Sequence, residues 1–244
     1  MKGRLSTLGF GLVLAVLLAG CTLVSEQVSI TGSGNIVTQE ENITGFDKVD
    51  VSQAFKVNIS QGDTFRVVIR IDDNLVEYLE VVKRGNTLTI GLKPGRPYNI
   101  RKATMEAEVT MPDLTGLELS GASHATITGF KSTKRLDVDV SGASHLRGDI
   151  EASDARFDVS GASQVTLSGS GQDVVIDASG ASQVDLSAFP VADANVKASG
   201  ASKATVNPSG RLDADASGAS HIYYLGSPTL GKIDTSGASS INRK

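Results

Sequence analysis

The tetrapeptide Ser-Gly-Ala-Ser occurs seven times in the second half of the chain, starting at Ser120, Ser141, Ser160, Ser179, Ser199, Ser217 and Ser236, with gaps of 21, 19, 19, 20, 18 and 19 residues. Self-similarity at a fixed period of this length points to a solenoid, in which each repeat is a rung that buries its apolar face against its neighbours. The flanking residues say which kind. One and three places before the first Ser stand pairs such as Val140/Val138, Val159/Phe157 and Ala198/Val196, and five and seven places after it Val165/Leu167, Val184/Leu186 and Ile222/Tyr224. Both sets alternate with polar residues, so each rung carries two short strands with apolar side chains inward. No apolar run has helical periodicity, and the repeats are rich in the poor helix formers Gly, Ser, Thr and Asp. The expectation is an all-β fold, a right-handed single-stranded parallel β-helix with about 19–20 residues per rung and equivalent residues stacked in ladders.

The tetrapeptide falls between the two strands and reads as a corner. Gly121, Gly142, Gly161, Gly180, Gly200, Gly218 and Gly237 supply a backbone angle that other residues resist. Ala122, Ala143, Ala162, Ala181, Ala201, Ala219 and Ala238 are expected to point a methyl inward, where a larger group would meet the rung above. The serines are expected to bond corner backbone groups or one another. A second turn of variable length, such as 129–135 or 187–193, absorbs the spread in repeat length.

Before Ser120 the pattern is degenerate. Val49 to Ile59 aligns with Leu136 to Leu146 when Ser52 is set on Ser141, leaving 68 residues from Ser52 to Ser120, room for about three rungs with insertions. Within them Phe65 to Ile71 reads as a strand, Asp72 to Leu79 as the one stretch able to make a helical turn, Leu79 to Ile90 as a hairpin, and Lys93 to Tyr98 as a loop. No Pro- or Gly-rich linker intervenes. Residues 29–119 therefore read as an elaborated N-terminal half continuous with the regular repeats of 120–244.

Residues 1–20 have the build of a signal peptide: Lys2 and Arg4, then Leu5 to Leu18 almost wholly apolar and too short for a comfortable span, then Ala19-Gly20. Leu18-Ala19-Gly20-Cys21 resembles the lipobox of bacterial lipoproteins. The resemblance implies cleavage before Cys21, lipid on its sulfur and on the new amino terminus, and a stable membrane anchor followed by a short tether, 21–28. Cys21 is the single cysteine, so no disulfide is available. Cleavage removes Lys2 and Arg4 and no acid, taking the formal charge from -4 to -6, which argues against a nucleic-acid partner.

Two polar columns flank the corner. His124, His145 and His221 stand four places after the first Ser, in a column continued by Gln164, Gln183, Lys203 and Ser240; Glu118, Asp139, Asp158, Asp177, Lys197, Asp215 and Asp234 stand two places before it. A metal site can be drawn from His124 and His145 with Asp139 or Glu118. The simpler reading is two solvated faces, because the first column tolerates Gln and Lys, and no metal or other cofactor is expected. Neither Gly-x-Ser-x-Gly nor a phosphate-binding glycine loop occurs, and a Ser repeated at every corner is better explained as structure than as nucleophile. The acid pairs Asp137/Asp139 and Asp213/Asp215 raise a glycosidase, but no aromatic platform for sugar stands beside them. The chain closes on Ile241-Asn242-Arg243-Lys244, where the basic residues blunt an open parallel edge or, alternatively, a homodimer forms through that end.

Gly32-Ser33-Gly34-Asn35, Gly45-Phe46-Asp47-Lys48-Val49, Val57 to Gly62 and the run of corners together resemble the GIN-domain family of auto-transporter adhesin heads, from about Ser29 onward. The resemblance implies a β-helix in a bacterial envelope protein and a role in adhesion, and brings no catalytic residues with it. No barrel-forming segment follows the repeats, so lipid on Cys21 is expected to do the anchoring. Thr22, rather than the Asp that retains many lipoproteins at the inner membrane, favours the outer membrane or cell surface. The expected function is a lipid-anchored, non-enzymatic adhesin-like module with a protein or glycan partner. The alternatives are a structural or stress-related envelope lipoprotein and a polysaccharide-active enzyme.

Overall fold

A computed structural model describes residues 28–244. Cys21, the signal peptide and nearly all of the tether lie outside the described residues. The alternation read from the sequence becomes strand geometry: Leu136–Val140 buries Leu136, Val138 and Val140 and exposes Asp137 and Asp139, and past the corner His145–Glu151 buries Leu146 and Ile150. Repetition of this pair builds two sheets that close on one core, among the described residues a ten-stranded and an eleven-stranded sheet. From Lys48–Val51 to Thr229–Thr235 in the first, and from Lys56–Gln61 to Ser240–Arg243 in the second, neighbouring strands are parallel. This is a parallel β-solenoid. Phe130, Phe157 and Phe189 fill the space between the sheets with at most 1% of their surface exposed, each contributing about 1.5–3 kcal/mol by burial.

The corners differ from expectation in one respect. Gly and Ala are both exposed, and the buried residue is the second serine: Ser123, Ser144, Ser163, Ser182, Ser202 and Ser220. The alanines at 122, 143, 162, 181, 201, 219 and 238 thus point outward rather than in. The reason lies in the backbone. Gly161 has φ 70° and a methyl built on it would lie 2.3 Å from the carbonyl oxygen of Gly142 below, the same oxygen that accepts the Ala162 N–H at 2.8 Å. The turn is therefore a ladder of its own, packed glycine on glycine, and it rotates the chain so that the inward position falls on the second serine. There the hydroxyls tie rung to rung, Ser182 donating to the Val159 carbonyl (3.1 Å), Ser202 to Ala178 (3.0 Å) and Ser220 to Ala198 (2.9 Å). A buried hydroxyl without such a partner would cost about 1–3 kcal/mol.

The N-terminal half holds fewer rungs than its length allows. Lys48–Val51 and Lys56–Gln61 pair directly with Gly116–Leu119 and His124–Lys131, so the 68 residues from Ser52 to Ser120 do not separate two stacked rungs. They stack instead on the other side of the rung made by Lys48–Val51 and Lys56–Gln61. Thr87–Leu92 and Met105–Met111 add a single rung in parallel. Leu79–Arg84, Arg66–Asp72 and Ile36–Glu41 then close that end in antiparallel fashion, and Asp73–Tyr78 forms the 3₁₀ turn. Antiparallel hairpins turn back on themselves instead of advancing one rung per repeat, which is why this stretch does not show up as a repeat.

Asp72 fastens the cap. Its buried carboxylate accepts the N–H groups of Thr104 and Gly34, both at 2.6 Å, and the Ser33 hydroxyl at 3.4 Å. The Thr104 bond is the main reason its pKa falls below the ordinary carboxylate value, the cost of burial being outweighed. Beside it Val28–Thr31 pairs in parallel with Tyr98–Arg101 as a separate two-stranded sheet. At the opposite end the edge strand of the ten-stranded sheet, Thr229–Thr235, is bulged against its neighbour and leaves Leu230 50% and Ile233 36% exposed.

Candidate functional site

Because equivalent positions stack in register, each outward column of the sequence becomes a line of side chains along the solenoid. On the eleven-stranded sheet Lys56, His124, His145 and Gln164 stand in one such line. The two imidazoles lie face to face, centroids 4.7 Å apart and planes 7° from parallel, which is the spacing of adjacent strands themselves. Partial burial, then the neighbouring His145, hold the His124 pKa below the ordinary histidine value, so at neutral pH it is an uncharged ring.

The His pair sits in a groove of about 600 Å³, lined by Lys56, Asn58, Arg70, His124, Arg147 and Gln164 among others. The antiparallel strands of the N-terminal cap form its far wall. There Arg70 and Arg66 are paired with Glu106 (3.1 Å) and Glu108 (3.7 Å), whereas among the described residues Lys56 and Arg147 have no carboxylate partner. The result is a trough of amide, hydroxyl and imidazole groups with two free cations.

The other column lies on the ten-stranded sheet. Asp50, Glu118, Asp139, Asp158 and Asp177 follow one another without interruption before Lys197 breaks the run. Burial, then the neighbouring carboxylates, pushes Glu118 and Asp139 up; burial likewise raises Asp50 against the lowering effect of its bond to Thr89. A second, shallower groove of about 320 Å³ runs over Asp50, Glu118, Asp139 and Asp158.

The two columns therefore occupy the outer faces of different sheets, with the core between. The structure brings His124 and His145 together and does not bring Asp139 or Glu118 to them. Parallel stacked rings also aim their nitrogens side by side rather than at one point. Among the described residues no group of three His, Asp, Glu or Cys side chains is placed to hold a metal ion. A serine does meet a histidine once, Ser240 Oγ at 2.9 Å from His221 Nδ1. No carboxylate among the described residues orients that ring, so the pair lacks the third group of a hydrolytic triad.

Sequence reasoning missed the lower ends of both columns, Lys56 and Asp50. The signal was present, since both follow from the alignment of Ser52 with Ser141, but Gln-Ala-Phe in place of Gly-Ala-Ser obscured it. The far wall of the groove, Arg70, Glu106 and Glu108, carried no signal, because non-repeating antiparallel strands have no period to extend.

Fold and site together define a class: a β-solenoid that displays polar ladders on two chemically distinct outer faces. The family profile described as "Putative auto-transporter adhesin, head GIN domain" matches residues 45–228, and the chain belongs to that family. No curated protein matches the chain. Among solved structures it is similar to an adhesin candidate from Bacteroides fragilis, at 22% identity and TM-score 0.79, over 88% of this chain and 100% of that one. It is also similar to a structure from Parabacteroides distasonis described as a "putative lipid binding protein", at 21% identity and TM-score 0.73, over 88% of this chain and 99% of that one. An adhesin candidate from Parabacteroides merdae gives 17% identity and TM-score 0.69, over 89% and 99%. At these identities the likeness is one of fold.

Proposed function

We propose that the protein is a non-enzymatic binding module of the bacterial envelope, held there by lipid on Cys21, and that it takes an extended glycan along the outer face of the eleven-stranded sheet. The observation that carries this reading is the groove over Lys56, His124, His145 and Arg147. Its wall offers hydrogen-bond donors and acceptors at every rung, a repeat of ~4.8 Å that is comparable to the length of one pyranose unit. Among the described residues the exposed large apolar side chains, Ile36, Val175, Leu230 and Ile233, all lie outside it, which disfavours an apolar peptide. A lipid chain, the ligand class named for the Parabacteroides distasonis protein, would need apolar space. Both grooves described above instead lie open on outer faces and are edged by charged side chains, and the core between the sheets is filled.

A glycan array read together with a reducing-end assay tests the proposal. Binding without release of reducing ends, lost in His145→Glu/Arg147→Glu, is the expected result. Binding that survives this double variant would refute the groove, and release of new reducing ends would refute the non-enzymatic reading.

A further inference from the structure

The N-terminal cap carries a second surface, on the side where the tether leaves. Val28 N–H donates to the Pro97 carbonyl at 2.9 Å, and Val28–Thr31 runs in register with Tyr98–Arg101. The segment from Leu92 to Thr104 that forms this edge contains Lys93, Arg96, Arg101 and Lys102 and no acid. All four basic side chains are exposed. Lys93 Nζ donates to the Glu77 main-chain oxygen at 2.6 Å, and Tyr98 Oη to the Lys93 carbonyl at 2.8 Å, so the Pro94-Gly95-Arg96-Pro97 loop is held against the cap. The neighbouring acids are Asp72, buried and bonded to the Thr104 and Gly34 N–H groups, and, on the 3₁₀ turn, Asp73, bonded to the Ser33 hydroxyl, and Glu77.

Chain length sets how far this edge can lie from a membrane. Six residues, Thr22 to Gln27, separate Cys21 from Val28, and fully extended they reach at most about 25 Å. We infer that the edge formed by Lys93, Arg96, Arg101 and Lys102 docks on anionic phospholipid headgroups, so that the solenoid stands on the membrane by its capped end and projects the open end outward. The inference rests on lipid at Cys21, which keeps the cap within about 25 Å of the headgroups, whose field attracts a cationic edge and repels an acidic one. Each Lys or Arg near an anionic surface raises partition about fivefold. The acidic ladder from Asp50 to Asp177, on a different sheet, is kept off the surface by the same field.

The test uses the full chain purified from membranes, with Ser29→Cys carrying a dye and a quencher on the lipid headgroups, in vesicles with and without phosphatidylglycerol. Strong quenching only on the anionic vesicles is expected. It should vanish in Arg96→Gln/Arg101→Gln/Lys102→Gln and at salt high enough to shorten the screening length to about 3 Å. Equal quenching on both vesicle types, or quenching indifferent to the triple variant, would overturn the inference. Mass spectrometry of the same sample reads the anchor separately. If Cys21 bears no acyl group the anchor reading fails, and co-sedimentation of that unlipidated chain with the two vesicle types then decides the surface: binding to anionic vesicles alone, weakened by the triple variant, supports it, and no binding to either overturns it.

Discussion

Gly161→Ala should be far more costly than its single methyl suggests. The added carbon would lie 2.3 Å from the Gly142 carbonyl oxygen, against a floor of 3.0 Å for real contacts of this kind, a shortfall of 3.0 − 2.3 = 0.7 Å. The neighbour is backbone and cannot turn aside. Relief requires opening the spacing between two rungs, which stretches the Ala162 N–H bond to the same oxygen. Left-handed φ costs a non-glycine residue about 1–2 kcal/mol, and loss of the hydrogen bond about 1 kcal/mol more. With the residual contact the expected loss is about 3 kcal/mol, a large part of a domain's stability. Gly129→Ala is the control, since Gly129 has a similar φ of 77° but nothing within 4 Å of the added methyl; its loss should stay near 1 kcal/mol. Urea unfolding followed by two probes measures both, because a solenoid can unfold in sections. Losses for the two variants within about 0.5 kcal/mol of each other would refute the stacked-glycine account of the corner.

Ala162→Leu, in contrast, should change stability by less than about 0.5 kcal/mol, because Ala162 faces solvent; the midpoint of the same titration checks it. Ser182→Ala removes a buried donor to the Val159 carbonyl and should cost about 1 kcal/mol, whereas Ser179→Ala, at the half-exposed first serine, should cost much less. Asp72, its pKa lowered, contributes stability that is present above 3.8 and lost as pH falls through its folded value; Asp72→Asn should therefore flatten the acid limb of the thermal midpoint. Glu118, its pKa raised, works in the opposite sense: its contribution is present below 4.5 and lost as pH rises through the folded value, so Glu118→Gln should raise the midpoint at pH 7 and leave it unchanged well below 4.5.

Repetition made the solenoid legible. Period two in the strands and a period near twenty in the corners gave the rungs, their register and both polar columns, because stacking converts sequence spacing directly into spatial neighbourhood. The inside of the corner was misjudged, since side-chain size favoured Ala as the inward residue. Two backbone facts, glycine in the left-handed region and the rotation it imposes, move that position to the second serine. The cap was legible as elements, strand, turn, hairpin and loop, but not as an arrangement: pairing partners such as Arg66–Asp72 with Met105–Met111 are antiparallel and far apart in sequence, and no local pattern announces them. The groove inherits both histories, one wall foreseen as a column and the other visible only after folding.

The glycine ladder has a consequence for how such a molecule changes over generations. Each corner bonds only to the corners directly above and below it, so a whole repeat can be gained or lost without disturbing the rest. Height is thus adjustable in units of one rung, ~4.8 Å, like courses of brick. Residues on the outer faces remain free to vary within every course. A lineage under pressure to meet new partners can rewrite the faces, or lengthen the column, and leave the mortar untouched.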